Sequence, residues 1–175
     1  AMAHHLLHVA AADKNAVVRE LASGHGRAVL FTRTKHAAKK LAKQLTAAGI
    51  PTVDLHGNLS QNARERNLAA FSSGDVRVLA ATDIAARGIH VDDVELVIHV
   101  DPPSEHKAYL HRSGRTARAG AAGSVVTLVT PEQKKDVATL VRLAKVSPTS
   151  LSVRAGSEEL RRLVGPPAPK VEAAA

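Results

Sequence analysis

The chain has 175 residues, 45% of them apolar, which is enough for one substantial core. With 24 Lys and Arg against 16 Asp and Glu, its formal net charge of +8 favours polyanionic partners such as nucleic acid or nucleotide. The absence of cysteine excludes disulfides and thiolate-bound zinc and favours a reducing, cytoplasmic setting, and no apolar run is long enough to span a membrane. With only 2 Phe and 1 Tyr, nucleic-acid binding by base stacking is not expected either, so contacts should fall on the sugar-phosphate backbone.

Short β-type runs alternate with longer helical patterns, which predicts an α/β fold with a mainly parallel sheet flanked by helices. The predicted strands cover residues 6–10, 27–31, 52–56, 77–81, 96–100 and 124–129. The predicted helices cover residues 14–22, 35–48 and 61–72, with Asp13, Thr34 and Ser60 as N-caps. A last helix follows Thr130 and Pro131, with Gln133 completing a capping box.

The composition divides the chain into three parts. Residues 1–3, Ala-Met-Ala, are interpreted as a remnant of cloning. Residues 4–146 form the predicted domain. From residue 147 to 175 the chain is rich in Pro, Ser and Ala, and we expect a linker or tail that is partly disordered.

Three polar segments follow predicted strands, where ligands of parallel α/β sheets bind. "FTRTK" (31–35) places Thr34 and Lys35 at a helix N-terminus, a natural phosphate site, although simple capping by Thr34 explains it equally well. "HGNLSQNARER" (56–66) and "ATDIAARGIH" (81–90) are compatible with a solvated helix face and a capped short helix, respectively. None of the three segments is decisive by itself.

The segment "HRSGRTARAG" (111–120) spaces Arg112, Arg115 and Arg118 three residues apart between glycines. Like charges at this spacing disfavour a helix and favour a loop held near a large anion. Guanidinium groups suit phosphoryl oxygens because they donate several coplanar hydrogen bonds and stay protonated. The sequence contains no G-x-x-x-x-G-K-[ST] pattern and no acidic cluster suited to Mg²⁺, so the nucleotide must be held elsewhere.

These residues resemble the motifs of DEAD-box RNA helicases. "HRSGRTAR" resembles motif VI, and "FTRTK", "HGNLSQNAR" and "ATDIAARGI" resemble motif IV, the glycine segment with Q-x-x-R, and motif V, in the family's order. The chain looks like the second, C-terminal RecA-like domain of such an enzyme and is most similar to the bacterial RhlE-type subgroup. The resemblance implies a RecA-like three-layer α/β/α sandwich with a mainly parallel central sheet.

The resemblance also implies roles for individual residues. Arg115 and Arg118 would be arginine fingers on the γ-phosphate of ATP, and His111 and Arg112 would bridge to the first domain. The expected RNA-backbone contacts are Thr34, Lys35, Gly57, Arg64 and Thr82, with Gln61 and Asp83 bracing that surface. Gly88 would approach the nucleotide.

The partners and cofactors follow from the same resemblance. ATP and Mg²⁺ would be held mainly by the first domain, whose residues are not in this sequence, and this domain would hold no metal of its own. Its partners would be RNA and that first domain, and the isolated domain is expected to be a monomer without ATPase activity.

One position departs from the family pattern. His90 stands where the family usually has an Asp that accepts hydrogen bonds from the ribose, and an imidazole offers fewer acceptors than a carboxylate. Either His90 keeps a weaker contact or Asp92 or Asp93 replaces it.

Two alternative interpretations of the function remain open. The chain could be a non-enzymatic nucleic-acid-binding module that kept the same fold, or part of a DNA helicase of the wider superfamily. "HHLLH" (4–8) could suggest a metal site, but strand alternation places His4 and His8 on one face and His5 on the other, so no three converge.

Overall fold

The computed structural model of the chain describes residues 2–86, 94–113 and 123–172. Its strands are β1 (Met2–His8), β2 (Ala28–Phe31), β3 (Thr52–Leu55), β4 (Val78–Ala81), β5 (Leu96–His99), β6 (Gly123–Val129) and β7 (Thr149–Ser152). They form a sheet in the order β3-β4-β2-β5-β6-β1-β7, and every neighbouring pair is parallel.

Helices cover both faces of this sheet. They are α1 (Lys14–Ala22), α2 (Lys35–Ala47), α3 (Gln61–Ser72), α4 (His106–Ser113), α5 (Lys134–Leu143) and α6 (Glu158–Val164). Alternate strand residues point to opposite faces, so that Val29 belongs to the core under α3, α4 and α5 while Leu30 belongs to the core under α1, α2 and α6. The predicted three-layer α/β/α architecture is therefore confirmed, and the described sheet is parallel throughout.

All six predicted strands are present, with small shifts at their ends. The largest shift is in β1, which begins at Met2 and ends at His8, because His4 and His5 pair with Val125 and Val126 of β6 although histidine is not a typical strand residue. Residues 2 and 3, interpreted from the sequence as a cloning remnant, lie in this strand.

The predicted helix starts are confirmed at α2 and α3. The hydroxyl of Thr34 accepts a hydrogen bond from the Ala37 N–H at 3.1 Å, and Ser60 accepts one from the Ala63 N–H at 3.2 Å. The prediction that Asp13 caps α1 is wrong, because Asp13 lies in a 3₁₀ turn, has helical backbone angles and makes no capping hydrogen bond. Before α5, the Gln133 side chain accepts from the Thr130 N–H at 3.1 Å, as the capping box requires.

The segment after residue 147 differs from the expected linker or tail. Strand β7 pairs with β1, and α6 buries Leu160 completely in the core beside α1. A further bridge joins Pro167 to Gly24. Strand β7 has a single apolar residue, Leu151, which is too little for a strand pattern. Residues 157–164 were visible in the sequence only as a short amphipathic piece, whose three apolar residues, Leu160, Leu163 and Val164, pack in the core.

Candidate nucleic-acid interface

The carboxyl ends of four neighbouring strands bring the polar segments together at one edge of the sheet. The Thr32 N–H after β2 donates to Ala81 O of β4 at 3.0 Å, and the Thr82 N–H after β4 donates to Leu55 O of β3 at 3.2 Å. The Val100 N–H after β5 donates to Phe31 O at 3.0 Å. The three segments singled out in the sequence therefore start from a common, hydrogen-bonded edge.

The first segment ends at the N-terminus of α2. The Thr32 hydroxyl donates to the Thr34 carbonyl at 3.1 Å, and the Thr34 hydroxyl caps the helix. Lys35, the first helical residue, is exposed. A lysine charge and the positive end of the helix dipole therefore face solvent at the same place, an arrangement that attracts phosphate.

The second segment is held by a buried histidine that the sequence reading did not single out. His56 Nε2 lies 2.7 Å from Asp54 Oδ2, and its Nδ1 lies 3.3 Å from the Asn58 N–H. Because Nδ1 accepts from a backbone N–H, the imidazole proton sits on Nε2 and is donated to Asp54. Asn67 of α3 also donates to the Asp54 carbonyl at 2.9 Å. This network fixes Gly57, which is exposed and has no atom within 4 Å of the position that a Cβ would take.

Helix α3 joins the second segment to the third. Arg64 Nη1 donates to the Ala85 carbonyl at 3.2 Å, so its charge lies beside the turn that contains Thr82. Gln61 was expected to brace the surface, but its described side-chain hydrogen bond, at 3.0 Å, is to Glu65 on the same helix. Arg64 is therefore the α3 residue that connects the two segments.

The strongest contact at this edge is a two-pronged ion pair between Asp83 and Arg112. Arg112 Nε lies 2.5 Å from Asp83 Oδ1 and Nη2 lies 2.8 Å from Oδ2. Its Nη1 donates to the Asp101 carbonyl at 2.8 Å, and the guanidinium lies 5.1 Å from the centre of the Phe31 ring. The Asp83–Arg112 ion pair holds the C-terminal end of α4 against the turn after β4.

Arg112 was expected to bridge to another domain, and the structure places it differently. Its side chain is only 3% exposed and all three guanidinium nitrogens are hydrogen-bonded within this domain. His111, its neighbour with the same expected role, is exposed on α4. The sequence could not separate the two, because only the packing of α4 against the sheet decides which of them points inward.

His99, at the end of β5, completes the surroundings of Arg112. It is fully buried, its ring stacks on Tyr109 with 4.7 Å between centroids, and its Nδ1 lies 3.2 Å from Arg112 Nη1. Since a guanidinium can only donate, Nδ1 must be an acceptor and the imidazole must be neutral. Burial, reinforced by the positive charges of Arg112 and His4, lowers the pKa of His99 well below its usual value. Burial likewise raises the pKa of the Tyr109 hydroxyl to about 12.

We expect the stability of the domain to fall as the pH drops below about 6.5, the ordinary pKa of histidine. In the unfolded chain His99 takes up a proton there, whereas in the folded domain its lowered pKa keeps it neutral, so unfolding gains protons. Burial also lowers the pKa values of His4 and His5, which act in the same direction. Below about pH 6, where the unfolded imidazole is mostly protonated, His99 alone should make the unfolding free energy fall by about 1.4 kcal/mol per pH unit, as measured by urea unfolding between pH 7.5 and 5.

The informative quantity is the slope of the unfolding free energy against pH. Replacing His99 also removes packing and a hydrogen-bond acceptor, which lowers the unfolding free energy at every pH. His99→Gln should flatten the decline, whereas His25→Gln, at an exposed position, should leave it unchanged. An undiminished slope in the His99 variant would contradict a neutral, buried imidazole.

A second carboxylate links the loops after β2 and β5. Asp101 accepts from the Arg33 N–H at 3.0 Å and pairs with Lys14 at 3.0 Å. Burial opposes its ionisation, but the Arg33 hydrogen bond and the Lys14 charge outweigh burial and lower the pKa of Asp101. Sequence reasoning missed these contacts because both partners of the Asp101 carboxylate, Arg33 and Lys14, are distant from it in the chain.

Some predicted site residues lie outside the described residues. They are Arg115, Arg118, Gly88 and His90, together with Asp92 and Asp93 as possible replacements for His90. Within the described part, no group of three or more potential ligands could hold a metal ion, and His4 of "HHLLH" is hydrogen-bonded to the Tyr109 hydroxyl at 2.8 Å. No helix among the described residues has the length and apolar character needed to cross a membrane.

Comparisons with known proteins identify the class to which this fold and edge belong. Residues 13–120 match the family of the helicase conserved C-terminal domain. The chain is 43% identical over 121 residues to DEAD-box ATP-dependent RNA helicase 53 of Oryza sativa subsp. japonica, covering 69% of this chain and 20% of that protein. It is 48% identical over 102 residues to the ATP-dependent rRNA helicase RRP3 of Coccidioides immitis, covering 58% and 22%.

Solved structures agree with the sequence comparison. The E. coli DEAD-box protein SrmB, solved bound to regulator of ribonuclease activity A, matches with a TM-score of 0.79 and 31% identity over 98% of both chains. A DEAD box protein from the hyperthermophile Methanococcus jannaschii matches with a TM-score of 0.80 and 30% identity over 86% of this chain and 42% of that one. The chain belongs to the helicase conserved C-terminal domain family, and its described part has the RecA-like fold that it shares with these DEAD-box proteins. It spans about a fifth of the length of the curated relatives.

Proposed function

We propose that this domain supplies the arginine fingers and an RNA-backbone surface of an ATP-dependent RNA helicase. The observation that carries the proposal is the ion pair of the buried Arg112 with Asp83, 2.8 Å between Nη2 and Oδ2. It holds the end of α4, from which the chain continues to Arg115 and Arg118, against the turn that follows Thr82. ATP hydrolysis and RNA binding would then share one edge of the sheet.

The proposed RNA surface consists of groups that recognise phosphate and sugar rather than bases. Lys35 and the capped N-terminus of α2 supply positive charge, and Gly57 leaves open space for a close backbone approach. Arg64 donates a hydrogen bond to the Ala85 carbonyl in the turn that follows Thr82. Contacts of this kind fix the position of a strand but carry little sequence information, so we expect weak sequence preference.

The proposed cycle needs a second domain. ATP and Mg²⁺ would be held mainly by the first RecA-like domain of the full-length protein, and closure of the two domains on ATP and RNA would bring the fingers to the γ-phosphate. His111, exposed on α4, would contact that first domain, and Gly88 and His90 would approach the nucleotide. Bending of the bound strand would then separate a short duplex.

We expect this chain alone to show no RNA-stimulated ATP hydrolysis, and its full-length parent to show it. The reason is that fingers stabilise charge on a phosphate that another domain must hold. The measurement is phosphate release with single-stranded RNA, with DNA of the same sequence as the matched control. Hydrolysis by the chain alone would contradict the division of roles, and equal stimulation by DNA would favour the DNA-helicase alternative.

Two finer predictions stay predictions. The assignment to the bacterial RhlE-type subgroup rests on the motifs, and the two curated relatives described above are from rice and a fungus. The cytoplasmic location rests on the absence of cysteine.

A further inference from the structure

Helix α2 carries an unusual concentration of one charge. Its 13 residues include four lysines and no carboxylate, and all four lysines are exposed: Lys35, Lys39, Lys40 and Lys43. At 3.6 residues per turn, they fall within an arc of about 140° on the side opposite the buried Ala38 and Leu45. We call Lys35, Lys39 and Lys43, which follow one another at four-residue spacing, the α2 lysine stripe.

The stripe is not neutralised within the described part of the chain, where the ion pairs are Lys14–Asp101, Arg112–Asp83 and Arg162–Glu158. Helices α5 and α6, in contrast, carry charges of both signs. In α6, Arg162 pairs with Glu158 at 2.7 Å, and in α5, Asp136 follows two lysines. A solvated helix with no binding role gains from such mixing, because like charges four residues apart repel each other. The unmixed charge of α2 therefore indicates an anionic partner.

A groove continues from the stripe to the proposed RNA surface. It has a volume of about 340 Å³ and is lined on one side by Lys35, His36 and Lys39 of α2 and on the other by His56, Asn58 and Leu59. Asp54 also lines it, but this carboxylate is 18% exposed and accepts hydrogen bonds from His56 and Asn67. Its negative charge is thus engaged by hydrogen bonds with His56 and Asn67, and the lysines determine the charge of the groove.

We propose that the α2 lysine stripe and this groove bind a further stretch of RNA backbone, extending the strand beyond the contacts of Thr34, Lys35 and Gly57. This inference rests on the proposed RNA-binding function and adds a second stretch of strand to it. The stripe rises about 12 Å along the helix, so a strand leaving the sheet edge meets successive lysines rather than one. Phosphate contacts from flexible lysines make this extension independent of base sequence.

The test compares the affinity of this chain for single-stranded oligo-U of about 5 and about 12 nucleotides, lengths within the usual range of single-strand site sizes. The variant Lys39→Gln with Lys43→Gln leaves Lys35 and the proposed edge residues intact. It should weaken binding of the longer RNA about tenfold at low salt and lower the slope of log K against log salt by about 1.4, since each lost phosphate contact removes about 0.7. Binding of the shorter RNA should change less than twofold.

The matched control is Lys134→Gln with Lys135→Gln, which removes the same charge from exposed positions of α5 on the other face of the sheet. Equal weakening by both double substitutions would show that the effect comes from net charge alone, and it would contradict RNA binding by the α2 lysine stripe. Wild-type affinity of the stripe variant for the longer RNA would overturn it too, and would leave an acidic protein surface as the partner to examine. Failure of the unchanged chain to bind either RNA at low salt would instead contradict the proposed function itself.

Discussion

Replacing Arg115 or Arg118 with alanine in the full-length protein should lower RNA-stimulated ATP hydrolysis by about 10³- to 10⁵-fold. A guanidinium placed on the γ-phosphate would stabilise the charge that spreads over its oxygens in the transition state, because it is a planar fork of donors that stays protonated. The loss should appear in kcat, with the KM for ATP changed much less, because the stabilisation is made in the transition state. Single-turnover phosphate release measures it directly.

Arg142→Ala provides the control, since it removes an exposed arginine from the last turn of α5 and should leave the rate within about twofold. RNA affinity of the two finger variants should also stay near that of the unchanged protein. Loss of RNA binding together with the rate would assign these arginines to the RNA surface, and an unchanged rate in both variants would contradict the finger assignment.

The framework of the fold could be predicted from the sequence because each layer has a strong local signal. Strands such as Ala28–Phe31 and Val78–Ala81 are buried on both faces and read as continuous apolar runs. Helices α2 and α3 begin at side chains, Thr34 and Ser60, whose capping chemistry is visible in the sequence. The parts that escaped prediction, α4, β7 and α6, are short and owe their structure to surfaces that exist only once the sheet has formed.

The sequence was sufficient to predict which residues belong to the site, but not which contacts they make. The motif resemblance selected Asp83 and Arg112, yet it gave Arg112 a contact with the first domain, and only the packing of α4 shows that the buried Arg112 pairs with Asp83 within this domain. His99 and His56 carried no signal, because each acts through a partner brought near by the fold. Hydrogen bonds between distant segments leave no periodic trace in a single sequence.

Arg112→Ala should destabilise the domain by about 3 kcal/mol in urea unfolding at pH 7.5. The change leaves Asp83 without its partner, removes a donor from the Asp101 carbonyl and opens a cavity over Phe31. The Asp83 side chain is 42% exposed and regains water, which keeps the cost near the lower end of the range for broken buried ion pairs. Arg112→Lys should cost about half as much, because an ammonium keeps the charge but cannot satisfy two carboxylate oxygens and a carbonyl together.

Arg162→Ala is the control, because it breaks an exposed arginine–carboxylate ion pair that should contribute little to the unfolding free energy. Its pair with Glu158 is equally short at 2.7 Å, but the two side chains are 76% and 69% exposed, so water and side-chain entropy offset most of the attraction. We expect a change within about 0.5 kcal/mol. Similar costs for both arginines would mean that the buried pair with Asp83 does not hold α4 to the turn after β4. A large cost at Arg112 alone, accompanied by loss of ATPase activity in the full-length protein with Arg112→Lys, would tie the position of the finger segment to that pair.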